Sequence, residues 1–299
     1  MISTFIYKVF GLTINSELEC PELQVSSGNV DVDILFGLAP DTLDNPTFSG
    51  VRFQTKVGEF LLHVDNVAKY YVTDGDQIII DAYPNAEAGD IRLFLLGSAF
   101  GALIHQRGLL PIHGSAINID GTAFIFSGHS GAGKSTIAAA FYHRGYSILS
   151  DDVCVLSIST EGKPLLNPGY PQMKLWADSI QKLGGQPSQY PTVRKKIEKH
   201  NIPVTSGFSE DPIPLKKVFV VSSLNVDKLA VEEVKGIEKF ILLKNHTYRF
   251  NFIAGNQMRA AHFSYLDSIA KQIEVFKISR PTGKFLFDEI IDIVLGKNT

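Results

Sequence analysis

A glycine-rich segment near the middle of the chain, SGHSGAGKST, has the residue types and spacing of a phosphate-binding loop. It matches the pattern G-x-x-x-x-G-K-[ST] in full, between a predicted strand, AFIFS, and a predicted helix, TIAAAFYHRG. Glycines allow the tight turn that brings backbone N–H groups onto phosphate oxygens, and the helix points its positive end at the same anion. The residues expected to bind a nucleotide are Gly128, His129, Ser130, Gly131, Ala132, Gly133, Lys134, Ser135 and Thr136.

Four side chains in and after this loop carry the expected chemistry. Lys134 supplies a mobile charge for the β- and γ-phosphates, and Ser135 offers its hydroxyl to Mg²⁺. Asp151 and Asp152 follow after one helix and one strand. A strand running back beside the loop's own strand would place both carboxylates near the γ-phosphate. One can hold Mg²⁺, directly or through water, and another can accept a proton from an attacking hydroxyl.

Five further side chains are candidates for the same site. His113 starts the strand that precedes the loop's strand, where it could hydrogen-bond an aspartate or the phosphate. A strand histidine is also an ordinary core residue. Phosphate or a carboxylate could be contacted by Lys174, Arg249, Arg259 and Arg280, and for each the alternative is a solvated surface charge.

The elements that must position these groups predict an α/β protein. Residues 1–86 contain short apolar runs separated by Gly, Asp, Asn and Pro, which predicts a β-rich N-terminal domain. A helix is expected from 88 to 106, and residues 87–299 are expected to form the second domain, with the boundary between 86 and 108. Residues 184–214 lose periodicity and predict a long loop.

Composition restricts the class of partner. The net charge is −3, with 28 Lys and Arg against 31 Asp and Glu, so no basic field favours nucleic acid or an anionic membrane. The apolar stretch at 93–104 is too short to span a bilayer, and no signal peptide is evident. Cys20 and Cys154 lack metal-ligand spacing and are expected to be buried thiols of a reducing compartment. We therefore expect a cytoplasmic protein.

The run IHGSAINIDGTAFIFSGHSGAGKSTIAAAFYHRGYSILSDDVCVL resembles the catalytic core of the HPr kinase/phosphorylase family. The resemblance covers about residues 110–158: a His-Gly strand, the P-loop, a short helix, a glycine stop and the Asp-Asp pair. It implies a P-loop kinase core related to phosphoenolpyruvate carboxykinase, with ATP and Mg²⁺ as cofactors and a serine hydroxyl as acceptor. By the family pattern Lys134 and Ser135 bind nucleotide and metal, and Asp151 is the base. Asp152, nearer the metal, and His113 assist.

The flanking segments, among them YKVFGLTINSELECPEL and PGYPQMKLW, resemble a divergent branch of that family. The branch includes kinases encoded with lasso-peptide biosynthesis, which implies the C-terminal serine of a precursor peptide as acceptor. The expected partner is therefore a peptide or small protein that carries this serine. An HPr-like protein, a free amino acid or a small alcohol remain alternative acceptors, a non-catalytic nucleotide-binding regulator remains an alternative class, and a homo-oligomer is left open.

Overall fold

A computed structural model describes residues 4–194, 197–284 and 286–297 of the chain. The chain divides into two compact units. The first comprises 1–111 and 247–266, and the second comprises 112–246 and 267–299. The division after 111 lies beyond the predicted boundary zone of 86–108, and the first unit also takes a segment from the C-terminal third.

The first unit is built on a β-sheet, as the alternating apolar runs indicate. Its order across nine strands of the described residues is β3-β1-β2-β4-β9-β8-β7-β6-β5. Alternate residues of β8 are buried, which is the pattern of a sheet with one covered face. The strands are β1 (Phe5–Val9), β2 (Leu12–Ser16), β3 (Gln24–Val25), β4 (Val32–Phe36), β5 (Phe48–Ser49), β6 (Phe53–Lys56), β7 (Glu59–Val64), β8 (Ala68–Thr73) and β9 (Gln77–Ala82).

A continuous helical segment then covers 88–106, as predicted. It consists of α1 (Ala88–Phe94), a π-helical turn (Leu95–Ala99) and α2 (Phe100–Gln106). This segment packs on the sheet of the first unit: Tyr70 donates from Oη to the carbonyl of Ile91 at 2.8 Å. Length and composition alone would let this one described helix cross a membrane, but 61% of its apolar window is buried inside the protein. The helix thus belongs to the first unit, which explains why the division falls after it.

The second unit contains the sheet that carries the glycine-rich loop. Its order in the described residues is β11-β10-β13-β14-β17-β19-β18, with β12 paired to β10 and β17 paired also to β11. The strands are β10 (Leu110–Ile119, beginning at the division), β11 (Thr122–Ser127), β12 (Ser147–Ser150), β13 (Val153–Ile158), β14 (Pro164–Asn167), β15 (Gln172–Trp176), β16 (Lys199–Pro203), β17 (Ile213–Leu224), β18 (Ala230–Val234) and β19 (Glu274–Pro281).

Helices cover this sheet and bury its apolar face. Ile137 and Phe141 of α3 pack with Phe126 of the loop's strand and with Ile290 and Val294 of α7 in one hydrophobic core. Close packing of this kind fixes where the loop's strand and helix meet. The helices are α3 (Lys134–His143), α4 (Ala177–Lys182), α5 (Ile237–Asn245), α6 (Gly255–Gln272, which crosses between the units) and α7 (Phe287–Val294), and single 3-10 turns lie at Pro187–Gln189 and Phe250–Phe252.

The segment predicted as a long loop, 184–214, contains a strand. β16 pairs antiparallel with β15, with Lys174 opposite Asn201 and Trp176 opposite Lys199. Lys195 and Lys196, within the same segment, lie outside the described residues. Buried residues, His200 and Ile202, alternate in β16 with more exposed ones. This alternation is short and lies in a segment rich in Gly, Pro and charged residues, so the strand is hard to predict from the sequence.

Candidate functional site

The glycine-rich loop joins the end of β11 to the start of α3, in the predicted order of strand, loop and helix. Gly128, Gly131 and Gly133 have φ angles of 143°, 81° and 102°, which residues other than glycine adopt only with strain. A Cβ on Gly128 would also overlap the carbonyl oxygen of Val221. The glycines are therefore required by the backbone path, and Lys134 begins the helix directly after them.

Lys134 is buried beside this loop. Its Nζ donates to the carbonyl of His129 at 3.1 Å, and the side chain lines the site cavity. Burial lowers the pKa of the Lys134 amine, although the carboxylates of Asp152 and Asp151 oppose the shift. The amine is thus a desolvated donor held in the loop, which strengthens its interaction with an incoming anion.

Arg280, at the end of β19, braces the loop from the side. Its guanidinium donates from Nε to the carbonyl of Ala132 at 3.0 Å and from Nη2 to the carbonyl of Gly131 at 3.5 Å. A third contact runs from Nη1 to the carbonyl of Lys284 at 3.0 Å. Because these loop carbonyls point toward Arg280, the guanidinium fixes the orientation of the peptide groups that form the loop.

We expect the Arg280→Lys variant to bind inorganic tripolyphosphate about tenfold more weakly, since an ammonium keeps the charge but cannot hold both loop carbonyls through a planar fork. Isothermal titration calorimetry measures the affinity. Arg144→Lys is the control, because Arg144 makes ion pairs with exposed carboxylates that contribute little. An unchanged affinity in Arg280→Lys would show that the loop keeps its shape without the fork.

A cavity of about 460 Å³ opens beside the loop, within the second unit. Four of its side chains are cationic and three are carboxylates, and the backbone of the loop forms one wall. Such an excess of positive charge around a glycine-rich loop favours a polyphosphate. The lining residues are His113, Ser130, Gly131, Gly133, Lys134, Ser135, Thr136, Asp152, Lys174, Leu175, Trp176, Ala177, Asp178, Ser179, Glu198, Lys199 and Arg280.

Asp151 is buried behind the cavity wall and both of its carboxylate oxygens are engaged. Ser115 donates from Oγ to Oδ1 at 2.5 Å, and the backbone N–H of Lys174 donates to Oδ2 at 2.7 Å. Ser115 Oγ also lies 3.5 Å from Ser135 Oγ, the hydroxyl expected at the metal. Asp151 therefore holds β15 and Ser115 in position beside Ser135, and it does not line the cavity.

Asp152 lies on the cavity wall. Its backbone is in the left-handed region, with a φ of 75°, between the end of β12 and the start of β13. The Oδ1 atom is 3.6 Å from His113 Nδ1 and the Oδ2 atom is 3.8 Å from Lys174 Nζ. Burial raises the pKa of Asp152, but the positive charges of Lys174, Lys199 and Lys134 help to outweigh it, so the net shift is downward. The carboxylate is ionised at neutral pH.

His113 joins this cluster from β10. Its Nδ1 lies 2.9 Å from the carbonyl oxygen of Asp152, and because a carbonyl only accepts, Nδ1 carries the proton. Burial, assisted by the nearby Lys134 charge, lowers the pKa of the imidazole, although Asp152 opposes the shift. A neutral His113 thus fixes the turn that presents Asp152.

The strand that leads to the aspartates takes a different place from the one expected. We expected it beside β11, but β12 pairs with β10, with Ile148 opposite Ile117. Both edges of β11 are already occupied, by β10 and by β17. The aspartates still lie near the loop, because only β10 separates β12 from β11 and neighbouring strands are about 4.8 Å apart.

The structure thus brings most predicted site residues together and adds others. Lys134, Ser135, Thr136, Asp152 and His113 share one cavity, whereas Ala132 is buried and His129 contributes its carbonyl to Lys134. Thr136 donates from Oγ1 to Ser179 Oγ at 3.1 Å. Sequence reasoning missed Trp176, Ser179 and Lys199 as lining residues, because β15, β16 and α4 are brought to the loop only by long-range packing.

The residues present fit a nucleotide bound with Mg²⁺. No group of three or more His, Cys, Asp or Glu that could hold a metal by itself occurs in the described residues. Mg²⁺ needs no such group when a nucleotide is bound, because one or two carboxylates complete a shell made mainly of water and phosphate oxygens. Ser135 and Asp152 would hold it here.

Comparisons with known proteins found similarity over part of the chain. The HPr kinase/phosphorylase of Chlorobaculum tepidum is 39% identical over 54 residues, which are 18% of this chain and 16% of that protein. The match thus spans about a sixth of the curated relative's length. Among solved structures, the Hpr(Ser) kinase/phosphatase from Coxiella burnetii is 14% identical and covers 62% of this chain and 88% of its own. Its TM-score of 0.33 is too low to establish a common fold.

No family model matches the chain. The resemblance to HPr kinase/phosphorylase is nevertheless confirmed by the matched segment. The mixed α/β architecture is also confirmed, by the three sheets of the described residues and by the helices. Neither comparison bears on the lasso-peptide branch.

Proposed function

We propose that this protein is an ATP-dependent serine kinase with an HPr-kinase-like P-loop core. One observation carries the proposal: an ionised carboxylate, Asp152, faces the same cavity as the loop lysine, Lys134. A protein that only senses a nucleotide needs the loop and a metal ligand. A kinase also needs a carboxylate oxygen that can take the proton of an attacking hydroxyl, and we assign both tasks to Asp152, with one oxygen for the metal and the other for the proton.

The roles of the other residues follow from their positions. Backbone N–H groups of the loop and the Lys134 amine bind the phosphates of ATP. Ser135 and Asp152 would hold Mg²⁺, which would supply positive charge to the phosphate oxygens on which negative charge develops. Asp151 holds the hydroxyl of Ser115 close to that of Ser135, and His113 holds the turn that presents Asp152. The role of base therefore moves from Asp151, where the family pattern puts it, to Asp152.

The acceptor we propose is a serine hydroxyl of a peptide, first of all the C-terminal serine of a precursor peptide, as the flanking segments suggest. A C-terminal serine carries a carboxylate next to the reacting hydroxyl, and Lys174, whose Nζ lies 3.8 Å from Asp152 Oδ2, lines the cavity as a partner for such a charge. Both cysteines are free and buried, which is consistent with a cytoplasmic kinase.

Mass spectrometry of candidate acceptors after incubation with ATP and Mg²⁺ tests the proposal. We expect a single added phosphoryl group on a peptide that ends in serine, and none on the same peptide ending in alanine. HPr and free serine are the comparison acceptors. Efficient transfer to HPr would replace the peptide by the parent family's substrate, and tight ATP binding without transfer to any hydroxyl would favour a nucleotide-binding regulator.

A further inference from the structure

The chain's single tryptophan is exposed at the rim of the phosphate cavity. Trp176 is 46% exposed although it is large and apolar, and it lines the same cavity as Lys134 and Asp152. Single exposed apolar side chains are common on protein surfaces, so the position of this indole on the wall of a polar cavity, rather than its exposure, points to a ligand. The indole is therefore available to a ligand that enters the cavity.

The β15–β16 ladder determines which way the indole points. Lys174, Trp176 and Lys199 lie on one face of the ladder, because alternate residues and directly paired residues share a face. All three line the cavity, while Met173 and Ile202 on the opposite face are buried in the hydrophobic core. The indole is thus held on the cavity side by the packing of the other face.

The position of Trp176 along β15 separates the indole from the part of the cavity wall at Asp152. Lys174 Nζ is 3.8 Å from Asp152 Oδ2. Trp176 lies two residues further, about 7 Å along the strand. A triphosphate whose terminal group lies at Asp152 and which extends along β15 would bring its nucleoside to the indole.

A second contact ties this end of the cavity to the loop. Thr136, in the first turn of α3, donates to Ser179 Oγ at 3.1 Å, and Ser179 follows Trp176 by three residues in α4. Ser179 donates in turn to Asp178 Oδ1 at 3.3 Å. The indole is consequently held at a fixed position relative to the loop's helix, which a platform for a ligand requires.

We propose that Trp176 is the stacking platform for the base of the bound nucleotide, which makes it a specificity-determining residue of the site. This inference rests on the proposed use of a nucleoside triphosphate. Every base presents a flat π-face, so an exposed indole binds it by stacking with little dependence on which base it is. The site therefore distinguishes nucleotides from inorganic polyphosphates and accepts more than one nucleobase.

The experiment compares two ligands that share the phosphates and differ in the base. ATP and inorganic tripolyphosphate are titrated by calorimetry into wild type, Trp176→Ala and Trp176→Phe. We expect the alanine variant to lose about ten- to a hundredfold in ATP affinity and nothing in tripolyphosphate affinity. Trp176→Phe restores most of the ATP affinity. Phe48→Ala, which removes a 41% exposed aromatic ring of the first unit, leaves both affinities unchanged.

Because Trp176 is the only tryptophan, its fluorescence reports the contact directly. ATP is expected to change the emission of the wild type, and tripolyphosphate is not. Unchanged ATP affinity in Trp176→Ala overturns the inference and leaves the kinase proposal standing. A raised KM for the acceptor peptide with unchanged ATP affinity also overturns it, since the ring would then bind the acceptor. ATP-dependent quenching without phosphate transfer supports the stack while contradicting the kinase.

Discussion

Phosphate transfer by the Lys134→Ala variant should fall by at least about a hundredfold while the protein stays folded. The Lys134 amine donates a hydrogen bond from a buried position at the loop. Its attraction to phosphate oxygens there is stronger than it would be in water, because the surrounding dielectric constant is lower. Stability should change little. The variant loses one hydrogen bond to a carbonyl, but it also removes a cation whose burial is unfavourable, as the lowered pKa of Lys134 shows.

Three measurements check this expectation on the same protein sample: tripolyphosphate affinity by calorimetry, transfer by mass spectrometry and thermal unfolding by circular dichroism. Lys163→Ala is the matched control, because Lys163 forms only an exposed ion pair with Glu161 and lies outside the cavity. If Lys134→Ala transfers phosphate at the wild-type rate, the loop is not the phosphate cradle and the proposed function falls with it.

The loop could be predicted from the sequence because its residues specify their own backbone. Gly128, Gly131 and Gly133 mark the positions of positive φ, and Lys134 follows where the helix begins. The helix over 88–106 can be predicted in the same way, because an apolar run of this length is too long for a strand and is typical of a buried helix. In both cases the information is local.

The remainder of the site depends on contacts between distant parts of the chain. Arg280 meets the carbonyl of Ala132 across 148 positions of sequence, and nothing in its own neighbourhood distinguishes it from a surface arginine. The hairpin of β15 and β16 brings Trp176 and Lys199 to the cavity from a segment whose composition resembles a loop. The placement of 247–266 in the first unit is likewise invisible to local patterns. Register and long-range packing determine these features.

The positions of the two aspartates also depend on contacts between distant parts of the chain. Adjacent residues of a strand point to opposite sides, which predicts different places for the two carboxylates, and Asp152 lines the cavity whereas Asp151 is buried behind its wall. The backbone N–H of Lys174 donates to Asp151 and holds its carboxylate behind the cavity wall. Asp152, which has a left-handed φ, lies on the wall itself. The hydrogen bond from Lys174 comes from β15, a strand that local sequence patterns do not predict.

We expect the rate of phosphate transfer to differ strongly between the Asp152→Asn and Asp151→Asn variants. Asp152→Asn keeps the shape of the side chain but removes its charge and nearly all of its basicity, so transfer should fall by about 10²–10⁴. Affinity for tripolyphosphate, measured without metal, should stay the same or rise, because a negative charge leaves the cavity wall. Asp151→Asn should cost less than about tenfold in transfer, since its oxygen can still accept from Lys174 N–H while its amide donates to Ser115.

Asp151→Ala separates a supporting role from a chemical one. Alanine leaves the N–H of Lys174 and the hydroxyl of Ser115 without their acceptor, and both groups are held in the interior beside β15. The free energy of unfolding should therefore drop by about 1–3 kcal/mol, a loss that Asp151→Asn largely avoids. Calorimetric unfolding and mass spectrometry of the phosphorylated acceptor measure both quantities in each variant. If Asp151→Asn abolishes transfer while Asp152→Asn retains it, the base is Asp151, as the family pattern implies. The contacts of Asp151 with Ser115 and Lys174 would then have to open in the reacting complex.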